Sequence, residues 1–318
     1  MRSCHGDLYF LVGPTAARKT EVGVELATLL DAEIVSMDSM AVYEGMDIGT
    51  AKPSRELRAR VPHHLIDIRK PSEHFDVADY VRLAKQAVID IRARGRKPLL
   101  VGGTYLYLKA LTEGLFEGPA ADLALRARLQ SEAGASGTAA LHARLKVVDP
   151  IAAARIHPND LRRIIRALEV YEITGRPLSS FQTQFGAGNP LCRTIIAGLS
   201  VPREIVRRRI AERVEAMFRA GLVEEVRRIR ESTGFGRQAS QALGYKEVLD
   251  YLDGKRDIEE TIALVERRTC RFAKQQMTWL RSFKAVQWME ASADDTPTEL
   301  ARKIWEVWHN RTPLPGLA

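Results

Sequence analysis

Short apolar runs alternate with helical patterns over the first third of the chain. Short apolar runs at residues 7–12, 33–37 and 97–101 predict three buried strands. Apolar residues recur with the helical period at residues 20–30 and 76–94, which predicts two helices. Strands and helices that follow one another at this spacing indicate a parallel sheet with helices on its faces.

The pattern changes to helical periods alone over residues 116–190. Helices are predicted at residues 122–132, 138–147 and 159–173. An Ala-, Gly- and Ser-rich loop is predicted at residues 131–140. Strand-like alternation is missing from this part of the sequence, which is also rich in arginine. We therefore predict an all-helical, basic insertion.

Strand-like sequence returns after the insertion, at residues 193–199 and 285–289, with long helical patterns between. Pro202 is expected at the first position of one of these helices, where its missing N–H costs nothing. The predicted organisation is an α/β core, formed by residues 1–115 and 191–318, that the helical insertion interrupts.

The chain has a basic balance, with 48 Lys and Arg against 40 Asp and Glu, a net charge of +8 and a pI near 9.5. This excess is compatible with a polyanionic partner, because Lys and Arg neutralise phosphates and release counterions. The sequence contains no apolar stretch of the roughly 18 residues that a membrane span needs. Residues 1–8 also lack the apolar core of a signal peptide. We expect a cytoplasmic protein without membrane contact.

Three cysteines, Cys4, Cys192 and Cys270, are scattered along the chain. Their spacing suggests neither a disulfide framework nor a zinc site.

An octapeptide resembling a phosphate-binding loop follows the first predicted strand and precedes a helix, as a Walker A loop does. In such a loop backbone N–H groups ring the phosphate oxygens, and the helix N-terminus adds positive potential. Lys19 would add a point charge and the Thr20 hydroxyl would bind Mg²⁺, whereas Arg18 stands where the motif has glycine. A strand–turn–helix with chance similarity is the alternative. The eight residues are Gly13, Pro14, Thr15, Ala16, Ala17, Arg18, Lys19 and Thr20.

Further motifs follow in a characteristic order. They are DSMAVY at 38–43, GMDIGTAKP at 45–53, PHHLID at 62–67, VGGTYLY at 101–107, HPND at 157–160, RRIIRALE at 162–169, GYKE at 244–247 and QMTWLR at 276–281. In this order and spacing, residues 7–290 resemble the bacterial tRNA dimethylallyltransferases.

The resemblance implies a P-loop kinase-like core that binds dimethylallyl diphosphate with Mg²⁺ as cofactor. It implies a helical insertion that grips the tRNA anticodon stem-loop. The implied reaction is transfer of a dimethylallyl group to the N6 amine of the adenosine on the 3′ side of the anticodon, by a monomer. The target base must leave its stack to enter a buried channel, so base extrusion is expected.

Four residues receive chemical roles from the resemblance. Asp38 is expected to be the general base, since an exocyclic amine is a poor nucleophile and loses its proton as it attacks. Lys19, Thr20 and Arg213 are expected to neutralise the departing diphosphate. Asp38 could instead coordinate Mg²⁺ through water or cap a loop, and Arg213 could be a solvated helix charge.

The resemblance also implies a set of tRNA contacts. Arg162 and Arg166 share one face of a helix, which suits phosphates or extruded bases, although a solvated basic face is the alternative. Thr104 occupies a place where Thr is also common as a helix N-cap. His63 and His64 are expected to lie in a loop without chemistry. The residues expected to contact tRNA are Asp38, Ser39, Met40, Ala41, Thr104, Arg126, Arg162, Arg163, Ile164, Ile165 and Arg166.

Three positions depart from the family pattern. Arg18 replaces the loop glycine, Ala41 replaces a glutamine beside the general base, and Gln275 replaces a basic residue. The first two lie in the expected active site, so the sequence supports ancestry more directly than full activity. Two other functions compete with prenyl transfer: a small-molecule kinase that uses ATP on the same loop, and a tRNA-binding protein without catalysis.

Overall fold

The computed structural model describes residues 7–114, 118–181 and 193–309. Within these ranges, no helix combines the length and the apolar character that crossing a membrane requires. Cys4 and Cys192 lie outside the described residues.

The chain forms two compact units. Met1–Ala110 and Leu191–Ala318 form the first, and Leu111–Pro190 forms the second. The second unit begins at Leu111, inside a helix, whereas the sequence analysis placed the start of the insertion at residue 116.

A six-stranded sheet forms the centre of the first unit. The strands are β1 (Leu8–Val12), β2 (Ala32–Met37), β3 (His63–His64), β4 (Lys97–Gly102), β5 (Thr194–Ser200) and β6 (Val286–Glu290). Their order across the sheet is β3-β2-β4-β1-β5-β6, and every pairing is parallel. Phe10, Leu11 and Val12 of β1 are fully buried. Strands covered on both faces need continuous apolar sequence, which is why short apolar runs located them.

Helices cover the sheet of the first unit. They are α1 (Lys19–Leu30), α2 (Arg55–Arg60), α3 (Val77–Ala93), α4 (Tyr105–Glu113, which reaches into the second unit), and, after that unit, α10 (Arg203–Arg219), α11 (Leu222–Glu231), α12 (Tyr245–Leu252), α13 (Ile258–Leu280) and α14 (Pro297–His309). Asp76 begins α3 with a capping box, in which its carboxylate accepts the N–H groups of Ala78 and Asp79. Leu26 and Leu30 of α1 belong to the same buried cluster as Ile304 of α14.

The second unit is helical throughout its described residues. Its helices are α5 (Leu123–Ser136), α6 (Thr138–Val148), α7 (Pro150–Arg155), α8 (Leu161–Thr174) and α9 (Leu178–Phe181). Its own core contains Leu129, Leu141, Leu145, Ile164 and Leu168, each almost completely buried. The predicted fold class, an α/β parallel-sheet core with an all-helical insertion, is confirmed.

Three local predictions are wrong. Residues 131–140 are not a loop, since α5 and α6 occupy them with only Gly137 between, at a positive φ of 84°. Pro202 is the N-cap of α10 and not its first helical residue. His63 and His64 form β3, because they pair with Ile34 and Val35 of β2 at the edge of the sheet. The Ile34 N–H donates to the Pro62 carbonyl just before them.

Candidate active site

Three loops meet at one edge of the sheet in the first unit. They follow β1, β2 and β4, and the carboxyl ends of neighbouring parallel strands lie at the same edge, where ligands bind in such folds. Together with α10 and α13 they line a cavity of about 1240 Å³. The lining includes Thr15, Ala16, Arg18, Lys19, Thr20, Asp38, Ser39, Met40, Ala41, Thr104, Arg213 and Gln276.

The loop at residues 13–20 has the shape of an anion-binding nest. Ala16 and Arg18 adopt left-handed backbone conformations, at φ 62° and 61°, which turns successive N–H groups toward one side. Arg18 is the N-cap of α1, so the positive end of the helix points at the same place. The Lys19 ammonium closes the loop by donating to the Pro14 carbonyl at 2.6 Å.

Two cations lie beside this loop. Burial lowers the pKa of Lys19 to about 8, a shift that Asp38 opposes and Arg213 reinforces. Burial likewise lowers the pKa of Arg213, although a guanidinium stays charged in proteins. Arg213 Nη1 donates to the Thr15 hydroxyl at 3.1 Å, so this arginine is anchored to the phosphate loop. A solvated helix charge, the alternative for Arg213, does not fit this position.

Asp38 follows β2 directly and faces the cavity. Its Oδ1 accepts the N–H groups of Met40 at 2.8 Å and Ala41 at 3.3 Å. Among the described residues no hydrogen bond reaches Oδ2. One oxygen therefore fixes the carboxylate on its own turn, and the other is available to accept a proton.

The Gly102–Thr104 segment is pressed against β2. A Cβ on Gly102 would collide with the Met37 carbonyl, so only glycine fits there. The N–H of Thr104 donates to the same carbonyl at 3.3 Å, and the Thr104 carbonyl accepts the N–H of Tyr107 as α4 begins. These two hydrogen bonds fix Thr104 on the cavity wall.

Gln276 is a site residue to which the sequence analysis gave no role. It lies on α13, is 8% exposed, and hydrogen-bonds both Thr15 and Gly103. Gln276 is part of the motif QMTWLR. A helical pattern, however, does not distinguish a buried glutamine that joins two loops from a glutamine that only packs in the core.

Two arginines of the second unit share one buried carboxylate. Arg126 and Arg166 both bind Glu169, whose side chain is fully buried. Arg126 does so through Nε at 2.8 Å and Nη2 at 2.9 Å, and Arg166 through Nη1 at 2.5 Å. Hydrogen bonds from these arginines lower the pKa of Glu169 although burial alone would raise it. Arg162 is exposed on the same helix.

Two further residues of the expected tRNA set are part of the core. The side chains of Ile164 and Ile165 pack inside the second unit, at 0% and 7% exposure, where the protein covers them. Arg163 is exposed and forms an ion pair with Asp160 at 3.4 Å. These positions follow from the helical period, which turns 164 and 165 inward while 162 and 163 face solvent.

The positive charge is not concentrated in the insertion. Leu111–Pro190 contains nine Lys and Arg against eight Asp and Glu, so the expectation of a basic insertion is wrong. Residues 203–281, which form α10 to α13, contain eighteen against thirteen. Arg208, Arg209 and Arg213 of this segment line the cavity.

A family model described as IPP transferase matches residues 41–283. The tRNA dimethylallyltransferase of Geobacter sulfurreducens is 48% identical over 94% of this chain and 96% of its own length. The enzyme of the same name from Desulforudis audaxviator is 48% identical over 93% of this chain and 96% of its own.

Solved structures give the same relationship. The full-length tRNA isopentenylpyrophosphate transferase of Bacillus halodurans superposes with a TM-score of 0.71 at 41% identity, covering 95% of this chain and 96% of its own. A eukaryotic dimethylallyltransferase acting on tRNA superposes with a TM-score of 0.81 at 25% identity, covering 97% of this chain and 80% of its own.

Proposed function

The chain belongs to the IPP transferase family, and we propose that it transfers a dimethylallyl group from dimethylallyl diphosphate to tRNA. The acceptor is the N6 amine of the adenosine on the 3′ side of the anticodon. One observation carries this proposal: a single cavity holds both an anion-binding loop and a carboxylate with a free oxygen. A group transfer that expels diphosphate and deprotonates an amine needs these two features side by side.

The reaction follows from the positions of these groups. The adenine N6 forms a bond to C1 of the prenyl chain while the bond from C1 to the diphosphate oxygen breaks. The proton of N6 passes to Asp38 Oδ2, and the diphosphate leaves with the bonding electrons. Lys19, which donates to the Pro14 carbonyl, and Arg213, which donates to the Thr15 hydroxyl, offset its charge. Low solvent access makes such charges effective.

Mg²⁺ belongs to the proposal as cofactor. The Thr20 hydroxyl and the Asp38 carboxylate line the same cavity, and oxygen donors of this kind suit the ion. Thr20 and the diphosphate would hold it, where it would supply further positive charge to the leaving group. We also propose a cytoplasmic location and a monomeric state.

The second unit would grip the anticodon stem-loop through its exposed face. Arg162 is the best placed of the expected contacts, since it is exposed. Arg163 is also exposed but pairs with Asp160, and Arg126 and Arg166 are each about one-third exposed and share Glu169. Ser39, which was among the expected contacts, lines the cavity and would contact the extruded base.

Product analysis tests the proposal. The protein is incubated with labelled dimethylallyl diphosphate, Mg²⁺ and unmodified tRNA, and the tRNA is then digested to nucleosides. We expect the label in N6-dimethylallyladenosine from the position after the anticodon. Tight tRNA binding without label would instead support a non-catalytic protein, and release of ADP from ATP without RNA would support a kinase.

Affinity for inorganic diphosphate is expected to fall as the pH rises through about 8. With its pKa lowered to about 8, Lys19 is charged below that pH and neutral above it. A bound anion favours the charged form, so each pH unit above 8 weakens binding by at most about tenfold. Calorimetric titration from roughly pH 7 to roughly pH 9 measures this slope.

The matched control is Lys19→Arg, because its guanidinium keeps its charge over this range. Its affinity should change only with the ionisation of diphosphate itself, and the ratio of the two proteins isolates Lys19. Equal pH dependence in both proteins would exclude Lys19 as the titrating group.

Arg162→Ala and Arg166→Ala are expected to act differently. Loss of the exposed Arg162 should weaken tRNA binding and reduce its salt dependence by about one unit of slope. Loss of Arg166 removes one partner of the buried Glu169, so it should lower the stability of the second unit by about 1–3 kcal/mol. Filter binding over a salt series and thermal unfolding measure the two effects. An Arg166→Ala protein with unchanged unfolding and a reduced salt slope would show that Arg166 is a phosphate contact instead.

A further inference from the structure

Gln276 joins two loops of the cavity through one buried amide. Its Oε1 accepts the N–H of Thr15 at 2.8 Å, and its Nε2 donates to the Gly103 carbonyl at 3.1 Å. Thr15 belongs to the phosphate loop after β1, and Gly103 precedes Thr104 in the loop after β4. The two loops follow neighbouring strands, β1 and β4, at the edge of the sheet where the cavity opens.

The partners dictate an amide at this position. Thr15 offers only an N–H and Gly103 only a carbonyl, so the bridging side chain must present an acceptor and a donor side by side. A carboxylate would place a second acceptor against the Gly103 carbonyl. The fit is tight, because a Cβ on Gly103 would collide with the Gln276 amide nitrogen. The two loops are thus held in one relative position.

Thr15 is also the residue to which Arg213 is anchored, through its hydroxyl. An anion that binds the phosphate loop and draws Arg213 toward it therefore acts on Thr15, the residue whose N–H holds Gln276. Displacement of Thr15 reaches Gly103 through the amide, since a buried polar group keeps its partners. The bridge connects the loop that binds phosphate with the wall that carries Thr104.

We propose that Gln276 is a positioning residue that couples the two loops, so that a diphosphate on the first strengthens the binding of RNA at the second. The inference rests on the proposed function for the identity of the two ligands. In this role the donor diphosphate aligns the wall against which the adenine is placed, and bound RNA strengthens diphosphate binding by the same factor.

Coupling is measured as a ratio of two dissociation constants. Anticodon stem-loop RNA is titrated with the full-length protein, with and without saturating inorganic diphosphate and Mg²⁺. For the wild type we expect diphosphate to tighten RNA binding by about 5- to 150-fold, the usual range for coupled sites. For Gln276→Glu, which keeps the acceptor and loses the donor, the ratio should fall to near one. A fraction of irreversibly unfolded protein changes both constants by the same factor and leaves the ratio unchanged.

Two further proteins complete the test. Gln276→Met keeps the length of the side chain without either hydrogen bond and should also lose coupling, so the test stands if the glutamate variant fails to fold. Gln86→Glu makes the same chemical change on the exposed face of α3 and should keep the wild-type ratio. A wild-type ratio of one, or retained coupling in either Gln276 variant, overturns the proposal. Coupling without prenyl transfer by the wild type would overturn the proposed function and leave this inference intact.

Discussion

Replacement of Asp38 by asparagine is expected to lower turnover by at least about 100-fold, the usual contribution of a general base. The asparagine side-chain oxygen can still accept the N–H groups of Met40 and Ala41, so the turn after β2 should keep its shape. The amide that replaces Oδ2 has no capacity to take the N6 proton. Single-turnover prenyl transfer at saturating tRNA and dimethylallyl diphosphate measures the effect on the chemical step.

Binding distinguishes this role from the alternatives. If Asp38 acts only as a base, tRNA affinity should stay within about threefold of wild type. Asp90→Asn, the same change on the exposed face of α3, is the control and should retain full turnover. A strong loss of diphosphate affinity in the presence of Mg²⁺ would assign Asp38 to the metal, and an unchanged rate would remove it from the mechanism.

The sheet and most helices could be predicted from the sequence because their signals are local. Buried parallel strands are short apolar runs, and Leu8–Val12 and Lys97–Gly102 lie within one or two residues of their predicted bounds. The edge strand His63–His64 has no such run, since only two residues pair and both are polar. Its formation depends on the neighbouring strand, which periodicity does not report.

The site could be predicted only as far as motifs name residues. Lys19, Asp38 and Arg213 were expected, and the structure brings all three to one cavity. Gln276 was not, because its partners Thr15 and Gly103 are more than 170 residues away in sequence. A role that consists of joining two distant loops is a property of the fold.

In the insertion, the sequence pattern named a residue whose partners it did not predict. Arg166 has the residue type and the helical position of a phosphate contact, and the pattern predicted one. In the structure its guanidinium binds Glu169, three residues further along the same helix, and the Pro119 carbonyl. Ile164 and Ile165 of α8 were expected to contact tRNA, and the structure places their side chains in the core of the second unit. A basic residue at the boundary between core and surface can pair with a buried carboxylate or contact a phosphate. Only its partners in the folded structure show which role it has.

Replacement of Arg18 by glycine is expected to lower the Michaelis constant for dimethylallyl diphosphate and to raise turnover. Arg18 holds a left-handed backbone, at φ 61°, which costs a residue with a Cβ about 1–2 kcal/mol and costs glycine almost nothing. This strain disfavours the closed loop and so reduces the population that is ready to bind. Its relief can improve kcat/KM by up to about 5- to 30-fold, since each 1.4 kcal/mol corresponds to a factor of ten.

The glycine variant also loses the interactions of the Arg18 guanidinium, which reduces this gain. The geometry of the guanidinium shows that these interactions are weak. It donates to the Asp295 carbonyl at 3.4 Å, near the limit of a hydrogen bond, and it lies close to Arg209, whose pKa is lowered by burial first and by Arg18 second. Arg18→Ala is the matched control, because it removes the charge and the bulk but keeps the left-handed strain. Steady-state kinetics of prenyl transfer should therefore improve in Arg18→Gly well beyond Arg18→Ala. If both variants lose diphosphate affinity, the arginine binds the leaving group, and the loop is adapted to it.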